Sequence, residues 1–164
     1  MSITVRPYEE RDLQAITIIW NDIVNEGTSF PQDIPLDAMS ASEFFRMQSR
    51  TAVAEEDGKI LGLYILHPNN VGRCGHIANA SYGVSSAARG KGVGECLVRD
   101  SLEAGKELGF RILQFNAVVK TNERAIHLYK KLGFTPLGVI PKGLLKRFQN
   151  LSTSRRLKAY TILR

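Results

Sequence analysis

Short apolar, strand-like runs alternating with amphipathic helical segments predict an α/β fold on a mixed sheet of six to seven strands. Two further observations point the same way. Asp57-Gly58 stands between two apolar runs and is a hairpin signal, which makes those strands antiparallel neighbours. Arg89-Gly-Lys-Gly-Val-Gly94 joins a strand-like run to a long amphipathic segment, the junction of a strand–loop–helix unit. The order read along the chain is β-α-α-β-β-β-α-β-α-β-β.

Each element has its own local reason. Ile3 to Arg6 alternates as a strand and Pro7 ends it. Asp12 is placed to cap a helix that carries Leu13, Ile16, Trp20 and Ile23 on one face. Gly27, Pro31 and Pro35 mark residues 25–35 as a loop, and a weaker helix follows over 36–47. Residues 51–55 and 60–67 are the hairpin strands, 68–75 is a loop, and 76–84 is the next strand. A helix over 92–108 buries Val93, Leu97, Ser101, Ala104 and Leu108, with Gly109 as its stop. Residues 111–119 are rich in β-formers. Thr121 or Asn122 caps a third strong helix with Ala125, Leu128, Tyr129 and Leu132 at i, i+3, i+4 and i+7, ended by Gly133. Residues 134–140 and 159–163 are the last strands.

With 164 residues and neither a repeat nor a linker, residues 1–164 read as a single domain. The 43% hydrophobic and 23% charged content is that of an ordinary globular chain, and no run approaches a membrane span. The first residues start as a strand rather than a signal peptide, so a cytoplasmic protein is expected. Cys74 and Cys96 are too few for a disulfide scaffold or a cysteine-only zinc site, and no metal is expected. The formal charge of +6 is uneven: residues 1–60 carry −6 and residues 61–164 carry +12. A basic half suits a polyanion. Nucleic acid fits poorly, because the Lys and Arg are dispersed and no RNA-stacking motif appears, so no specific nucleic-acid partner is expected.

The glycine loop narrows the choice. Successive backbone N–H groups at a helix start bind phosphate with help from the helix dipole, and Arg89 and Lys91 add charge. A P-loop requires Ser or Thr after Gly-Lys, but Gly92 follows Lys91. A dinucleotide loop needs a third glycine where Glu95 stands. What remains is R-x-x-G-x-G, as Arg89, Gly92 and Gly94. It resembles the acetyl-CoA pyrophosphate loop of the GCN5-related N-acetyltransferase (GNAT) superfamily.

Two more stretches carry the same resemblance over nearly the whole chain. Asn122-Glu-Arg-Ala-Ile-His-Leu-Tyr-Lys-Lys-Leu-Gly-Phe134 is similar to the superfamily's N-x-x-A-x-x-L-Y-x-K-x-G-F, and Thr4-Val-Arg-Pro7 leads into a helix opening at Asp12. The resemblance implies a largely antiparallel mixed sheet with a central splay and helices on both faces. It implies that the splay opens between the strands at 76–84 and 111–119. The pantetheine arm then pairs with Tyr82, Gly83 and Val84 as an added strand. Arg89, Gly90, Lys91, Gly92, Val93 and Gly94 hold phosphate, and Asn122, Ala125 and Tyr129 complete the cofactor set.

Pro68-Asn-Asn-Val-Gly-Arg-Cys-Gly-His76, Asn79 and Phe115-Asn116 look like the fungal acetyltransferases that act on the proline analogue azetidine-2-carboxylate. In that group asparagines matching Asn79, Asn116 and Asn122 lie at the substrate and acetyl site. Residues 20–28 also resemble bacterial phosphinothricin and amino-acid N-acetyltransferases, which nominates Glu26, Thr28 and Phe30 as pocket wall. The sequence departs from many members in lacking a Glu on the strand over 76–84 to act as general base.

Amide formation from acetyl-CoA needs a neutral amine, a polarised thioester and a protonated or stabilised leaving thiolate. No nucleophile motif is present, in keeping with direct attack in a ternary complex. Tyr129 either donates a proton to sulfur or only packs with Leu128 and Leu132. Asn122 either only caps its helix or also touches cofactor or acetyl group. Asn79 and Asn116 either hold substrate or satisfy splayed backbone. The base is left between His76, Glu26 and a water chain. The basic stretch 142–158 is a solvated loop, or a contact for the CoA 3′-phosphate or a partner. The expected partner is a small amine, an amino acid or its analogue. A protein N-terminus or lysine is the rival acceptor, and a CoA- or nucleic-acid-binding module without catalysis is a third reading. A homodimer is compatible with the sequence, which does not fix the oligomeric state.

Overall fold

The computed structural model describes the backbone of residues 2–144 and 155–163 and the side chains of residues 2–141 and 143. Its strands are β1 (Thr4–Pro7), β2 (Arg50–Glu56), β3 (Lys59–Pro68), β4 (Ile77–Val84), β5 (Ile112–Val119), β6 (Thr135–Leu144) and β7 (Arg155–Leu163). The helices are α1 (Leu13–Glu26), α2 (Ala38–Arg46), α3 (Val93–Glu107) and α4 (Glu123–Lys131). The order along the chain is the expected one. The seven strands form one sheet in the order β1-β2-β3-β4-β5-β7-β6.

Local chemistry explains most boundaries. Asp57 and Gly58 have φ of 51° and 75°, the doubly left-handed pair that closes a two-residue hairpin between β2 and β3. The Asp37 carboxylate accepts from the Ser40 N–H at 2.8 Å, while the Ser40 hydroxyl accepts from the Asp37 N–H at 2.9 Å, a reciprocal cap for α2. Asn122 caps α4 by accepting from the Ala125 N–H at 3.2 Å. Pro136 and Pro141 sit in β6, which is tolerated because β6 is an edge strand.

The sheet has a buried cluster on each face. Trp20, Ile16, Ile19 and Ile23 of α1 and Phe45 of α2 pack on Val53, Leu63 and Ile65. On the other face Leu97, Val98 and Ala104 of α3 pack on Ala52, Tyr64, Leu66, Ala78, Ala80, Leu113 and Phe115. Period-2 alternation therefore sends Leu63 and Ile65 to α1 and α2, and Tyr64 and Leu66 to α3. Gly62 and Gly83 keep the layers close. A Cβ at Gly62 would lie 2.6 Å from the Gly83 carbonyl oxygen, and one at Gly83 would lie 3.0 Å from Ile23 Cδ1.

Sequence expectations are corrected at three places. Asp12 stands at the N-cap position of α1, but its side chain makes no cap bond to that helix: the carboxylate accepts from Arg6 Nη1 and Nη2 at 2.7 and 2.8 Å and from the Glu9 N–H at 2.9 Å, the latter closing a capping box on the single turn over 10–12. A nearly buried carboxylate is held by a bidentate guanidinium, and Arg6 holds the Asp12 pKa below its ordinary value. Leu108 is not on the buried face of α3; as the C-cap beyond the last helical turn it is 45% exposed, and Val98 and Gly105 are buried instead. The strands expected at 134–140 and 159–163 extend to Leu144 and back to Arg155, so the stretch 142–158 is partly strand. Cross-strand pairing overrides the local Gly and Lys content there. The basic residues of that stretch, at 142, 146, 147, 155, 156 and 158, lie outside the described side chains.

The splay is visible in the register. β4 and β5, the parallel pair, meet only at Ile77–Ile112 and Ala78–Leu113. Beyond those two positions the strands share no ladder, while β4 stays paired to β3 through Val84 and β5 pairs with β7. Arg111 and Ile112 donate their N–H groups to the His76 carbonyl at 2.9 and 3.3 Å, closing the narrow end.

Candidate active site

The open end of the gap lies where β4 runs into the glycine loop. Gly90 and Gly92 adopt φ of 83° and 85°, and a Cβ at either would meet nothing within 4 Å. Glycine is required there by the left-handed backbone rather than by crowding. Ala88 is 2% exposed and anchors the preceding turn. Gly92 is the N-cap residue of α3 and has no side chain to cap it. Among the described residues, the N–H groups of Gly90, Gly92, Val93 and Gly94 find no acceptor, whereas those of Arg89, Lys91 and Glu95 do. Orphan donors at a helix start are left to water or to a ligand, and phosphate oxygens are acceptors that suit them. The residues present therefore fit the CoA pyrophosphate. The expected set from Arg89 to Gly94 is gathered into one loop, with Arg89 and Lys91 exposed beside it.

Helix α4 leans on this cup. A Cβ at Gly94 would lie 3.6 Å from Leu128 Cδ2 and 4.0 Å from Val84 Cγ2. Lys131, in the last turn of α4, reaches Glu95 in the first turn of α3 at 2.6 Å. One residue beyond Leu128, the Tyr129 ring lies 4.4 Å from Phe115, 5.3 Å from Phe134 and 6.4 Å from Tyr82. The cluster thus contains a ring from each splayed strand and one from α4. Burial raises the Tyr129 phenol above its ordinary pKa, so it carries its proton at neutral pH. Tyr82 points the same way and shares a 2.7 Å hydrogen bond with Ser101, which leaves its backbone as the part able to face a ligand. Gly83 has a packing reason for being glycine, because α1 lies against it.

The opposite face holds the acceptor candidates. Ala78, Ala80 and Tyr82 pack toward α3, so alternation turns Asn79 and Ser81 toward the α1 side. By the same argument Leu113 and Phe115 point to α3, and Gln114 and Asn116 share the face of Asn79. Asn116 Nδ2 donates to Asn69 Oδ1 at 2.6 Å, and Asn69 Nδ2 donates back to Asn116 Oδ1 at 3.2 Å. Gln114 Nε2 donates to the same Asn116 oxygen at 3.0 Å. Sequence reasoning nominated neither Asn69 nor Gln114. For Gln114 the signal was present, a polar amide in an apolar strand two residues from Asn116. Asn69 is brought in by the β3–β4 connection and had no local signal.

Other nominated residues are placed differently. The Glu26 carboxylate accepts from Arg89 Nη2, tying the end of α1 to the glycine loop, so it is engaged with a cation rather than free in the gap. Phe30 is 9% exposed, with its ring 4.4 Å from Trp20, and belongs to the α1–α2 core. Thr28 is half-buried in the loop between them. His76 Nδ1 lies 3.1 Å from the Arg73 carbonyl oxygen, at the closed end of the splay. A cavity of about 240 Å³ under α3, lined by Leu66, Ala78, Leu102 and Leu113 among others, lies on the face away from Asn79 and Asn116. Among the described residues no three His, Cys, Asp or Glu side chains converge as metal ligands, and no helix is long and apolar enough to cross a membrane.

Known proteins share this arrangement. The model of the acetyltransferase (GNAT) family matches residues 16–134. The N-acetyltransferase aca1 of Schizosaccharomyces pombe is 33% identical over 149 residues, covering 80% of this chain and 71% of that protein. The L-methionine sulfoximine/L-methionine sulfone acetyltransferase of Pseudomonas aeruginosa is 27% identical over 150 residues, 87% of this chain and 86% of that one. A solved GCN5-related N-acetyltransferase from Kribbella flavida superimposes with a TM-score of 0.89 at 34% identity, over 98% of this chain and 97% of that one. With the orphan-donor loop, the splay and these matches together, the chain belongs to the acetyltransferase (GNAT) family and is an N-acetyltransferase.

Proposed function

We propose that the protein acetylates the amino group of a small molecule, an amino acid or amino-acid analogue, by direct attack in a ternary complex. Members of the family use acetyl-CoA, which supplies an activated acyl group on a thiol leaving group. The Arg89–Gly94 loop and the splayed edge of β4 are the parts of this chain suited to hold it. Tyr129 keeps its proton at neutral pH and stands in the aromatic cluster at the splay, the state a general acid toward a departing thiolate needs. Asn122 spends its oxygen on the α4 cap and retains an amide nitrogen able to donate.

The observation that carries the acceptor reading is the set of carboxamides on one face of the splay. Asn79, Gln114 and Asn116 come from two strands that part beneath them, and they offer neutral donors and acceptors at the scale of one small polar molecule. Relatives named for amino-acid derivatives support the same substrate class.

The test is CoA-thiol release in a screen of free amino acids and of their decarboxylated amines. Amino acids should be turned over with higher kcat/KM than the matching amines. Equal values for both would remove carboxylate recognition and put a protein N-terminus or lysine first.

A further inference from the structure

We propose that His67 is the general base of the reaction: its Nε2 takes a proton from the acceptor ammonium, directly or through one water, on the face of the sheet opposite Tyr129. The proposal rests on the small-amine reading above and deepens it by naming the group that readies the amine for attack.

β3, β4 and β5 carry no carboxylate, and His67 is their one imidazole. Its place follows from the register. His67 is paired with Asn79, the first residue of β4 beyond the last rung that joins β4 to β5, Ala78–Leu113. It therefore stands beside the point where the two strands part. Alternation puts it on the acceptor face: Leu63 and Ile65 pack toward α1 and α2, and His67 is next in that series. Directly opposed residues of an antiparallel pair have Cβ atoms about 4.5–5.5 Å apart, so the imidazole and the Asn79 carboxamide are neighbours. β2 pairs with β3 only as far as Leu66, and His67 is half-buried with a strand neighbour on the β4 side alone. The open side gives a proton a way out to solvent.

The ring is held in the tautomer a base needs. His67 Nδ1 lies 3.0 Å from the Pro68 carbonyl oxygen. A carbonyl oxygen only accepts, so Nδ1 carries the hydrogen. In the neutral ring Nε2 is left with a lone pair, and it has no partner among the described residues. The other two histidines are placed elsewhere: His76 is at the closed end of the splay, and His127 is exposed on α4. The groups that face His67 from β4 and β5 are neutral, Asn79, Ser81, Gln114 and Asn116, and α1 turns an apolar face to the sheet. Charged or titratable side chains on the neighbouring segments are Glu43 and Arg46 of α2 and Arg73 and Cys74 of the loop after β3, all exposed, with His76 bonded to the Arg73 carbonyl. Glu26 is held by Arg89.

The protons balance with Tyr129 on the other face. His67 Nε2 accepts one proton from the ammonium and leaves a neutral amine. The amine lone pair forms the C–N bond at the acetyl carbonyl carbon, and the C–S bond breaks. Tyr129 protonates the departing sulfur and regains a proton from the nitrogen. The products are the amide, the CoA thiol and one proton, which His67 passes to solvent. Phe115 and Tyr129 belong to the α3 side and His67 to the α1 side, so base and acid approach the gap from opposite faces.

The probes are azetidine-2-carboxylate and L-methionine sulfone, with the N-acetylated product measured at saturating acetyl-CoA. At pH 7 His67→Gln should lower kcat roughly 10²-fold, the scale of a lost general base. The loss should shrink as the pH rises toward the ionisation of the substrate amine, where no base is needed. With rising pH the kcat/KM of wild type should level off before that of His67→Gln does. Acetyl-CoA should stabilise the variant as it does wild type. In His67→Ala, added imidazole should restore part of the rate in proportion to its concentration and leave wild type unchanged, a response that a merely structural residue would not give. If neither variant folds, 1H–15N NMR of wild type serves. With the histidine signals assigned through His76→Gln and His127→Gln, the neutral His67 ring should carry its hydrogen on Nδ1.

The failures are distinguishable. Wild type that acetylates neither probe, nor any amine of the screen above, ends the small-amine reading and this proposal with it. Wild type that turns a probe over, with His67→Gln equally active at pH 7, ends only the role of His67. A loss that imidazole does not restore and that stays undiminished at high pH makes His67 a structural residue at the end of β3. A neutral His67 ring with its hydrogen on Nε2 overturns the proposal as well.

Discussion

On the cofactor side of the splay the candidate residues fall in two short stretches, 82–94 and 122–134. On the acceptor side Glu26, Thr28, Asn69, Asn79, Gln114 and Asn116 come from four separate parts of the chain. The two sides also differ in what they leave unsatisfied. The glycine loop presents four backbone N–H groups with no acceptor among the described residues, whereas the acceptor carboxamides Asn69, Gln114 and Asn116 already bond one another. A cup of orphan donors is specific for a class of ligand, any phosphate of the right size. A set of mutually oriented side chains is specific for one arrangement of atoms. On the proposed reading, cofactor binding rests on local backbone geometry and the choice of acceptor on tertiary contacts.

The sharpest way to break this comparison is Tyr129→Phe. The ring and its contacts with Phe115 and Phe134 are kept and only the phenol is lost. We expect kcat to fall roughly 10²-fold or more with acetyl-CoA affinity little changed. An unchanged kcat, with chemistry shown to be rate-limiting, would leave Tyr129 a packing residue.

Next in size is the loop itself. Acetyl-CoA at 100 times its Kd should stabilise the wild-type fold by about 2.7 kcal/mol. Gly92→Val should abolish most of that rise, because side-chain atoms would fill the cup. Gly58→Val is the matched control: its φ of 75° is close to the 85° of Gly92, and both sites are open. It should lower the apo melting temperature to a similar extent yet keep the acetyl-CoA response. If both variants lose the response equally, backbone strain and not the cup explains it.

Asn79→Ala addresses the acceptor side. It should lower kcat/KM for a free amino acid by about ten- to a hundredfold, at about 1.5–3 kcal/mol for a hydrogen bond to a charged group. Acetyl-CoA stabilisation should be retained. Loss of cofactor response together with acceptor turnover would mean that the two sides are not separable.

The smallest effect is expected where the sides touch. Arg89 is held by Glu26 in a half-exposed ion pair, worth at most about 1 kcal/mol in water. Glu26→Gln should free Arg89 for phosphate and tighten acetyl-CoA binding by no more than about fivefold, less at high salt. A Kd that is equal at low salt would make the pair a bystander.

Much of the fold was legible because its signals were local. The Asp57-Gly58 turn, the Gly109 and Gly133 stops and the α4 face each depend on residues within one or two turns of each other. The element order followed from them, and so did the cup. Leu108 and Asp12 show the limit. Helical spacing placed Leu108 on a buried face, but the helix had already ended. Sequence position offered Asp12 as a cap, but a guanidinium six residues earlier claimed its carboxylate. Phe30 read as pocket wall, and only its ring contact with Trp20 shows that it is core.

By itself the sequence determined the α/β class, the order of elements, the glycine loop at the start of α3 and the α4 motif, because backbone preference and helical period act over a few residues. Only the tertiary structure decided where β4 and β5 part, which face Asn79 and Asn116 occupy, that Asn69 reaches across β4 to meet Asn116, and that Glu26 answers Arg89. Those facts depend on strand register and sheet order. They bring together residues 47 and 63 positions apart, and nothing within a few residues of either partner encodes such a meeting.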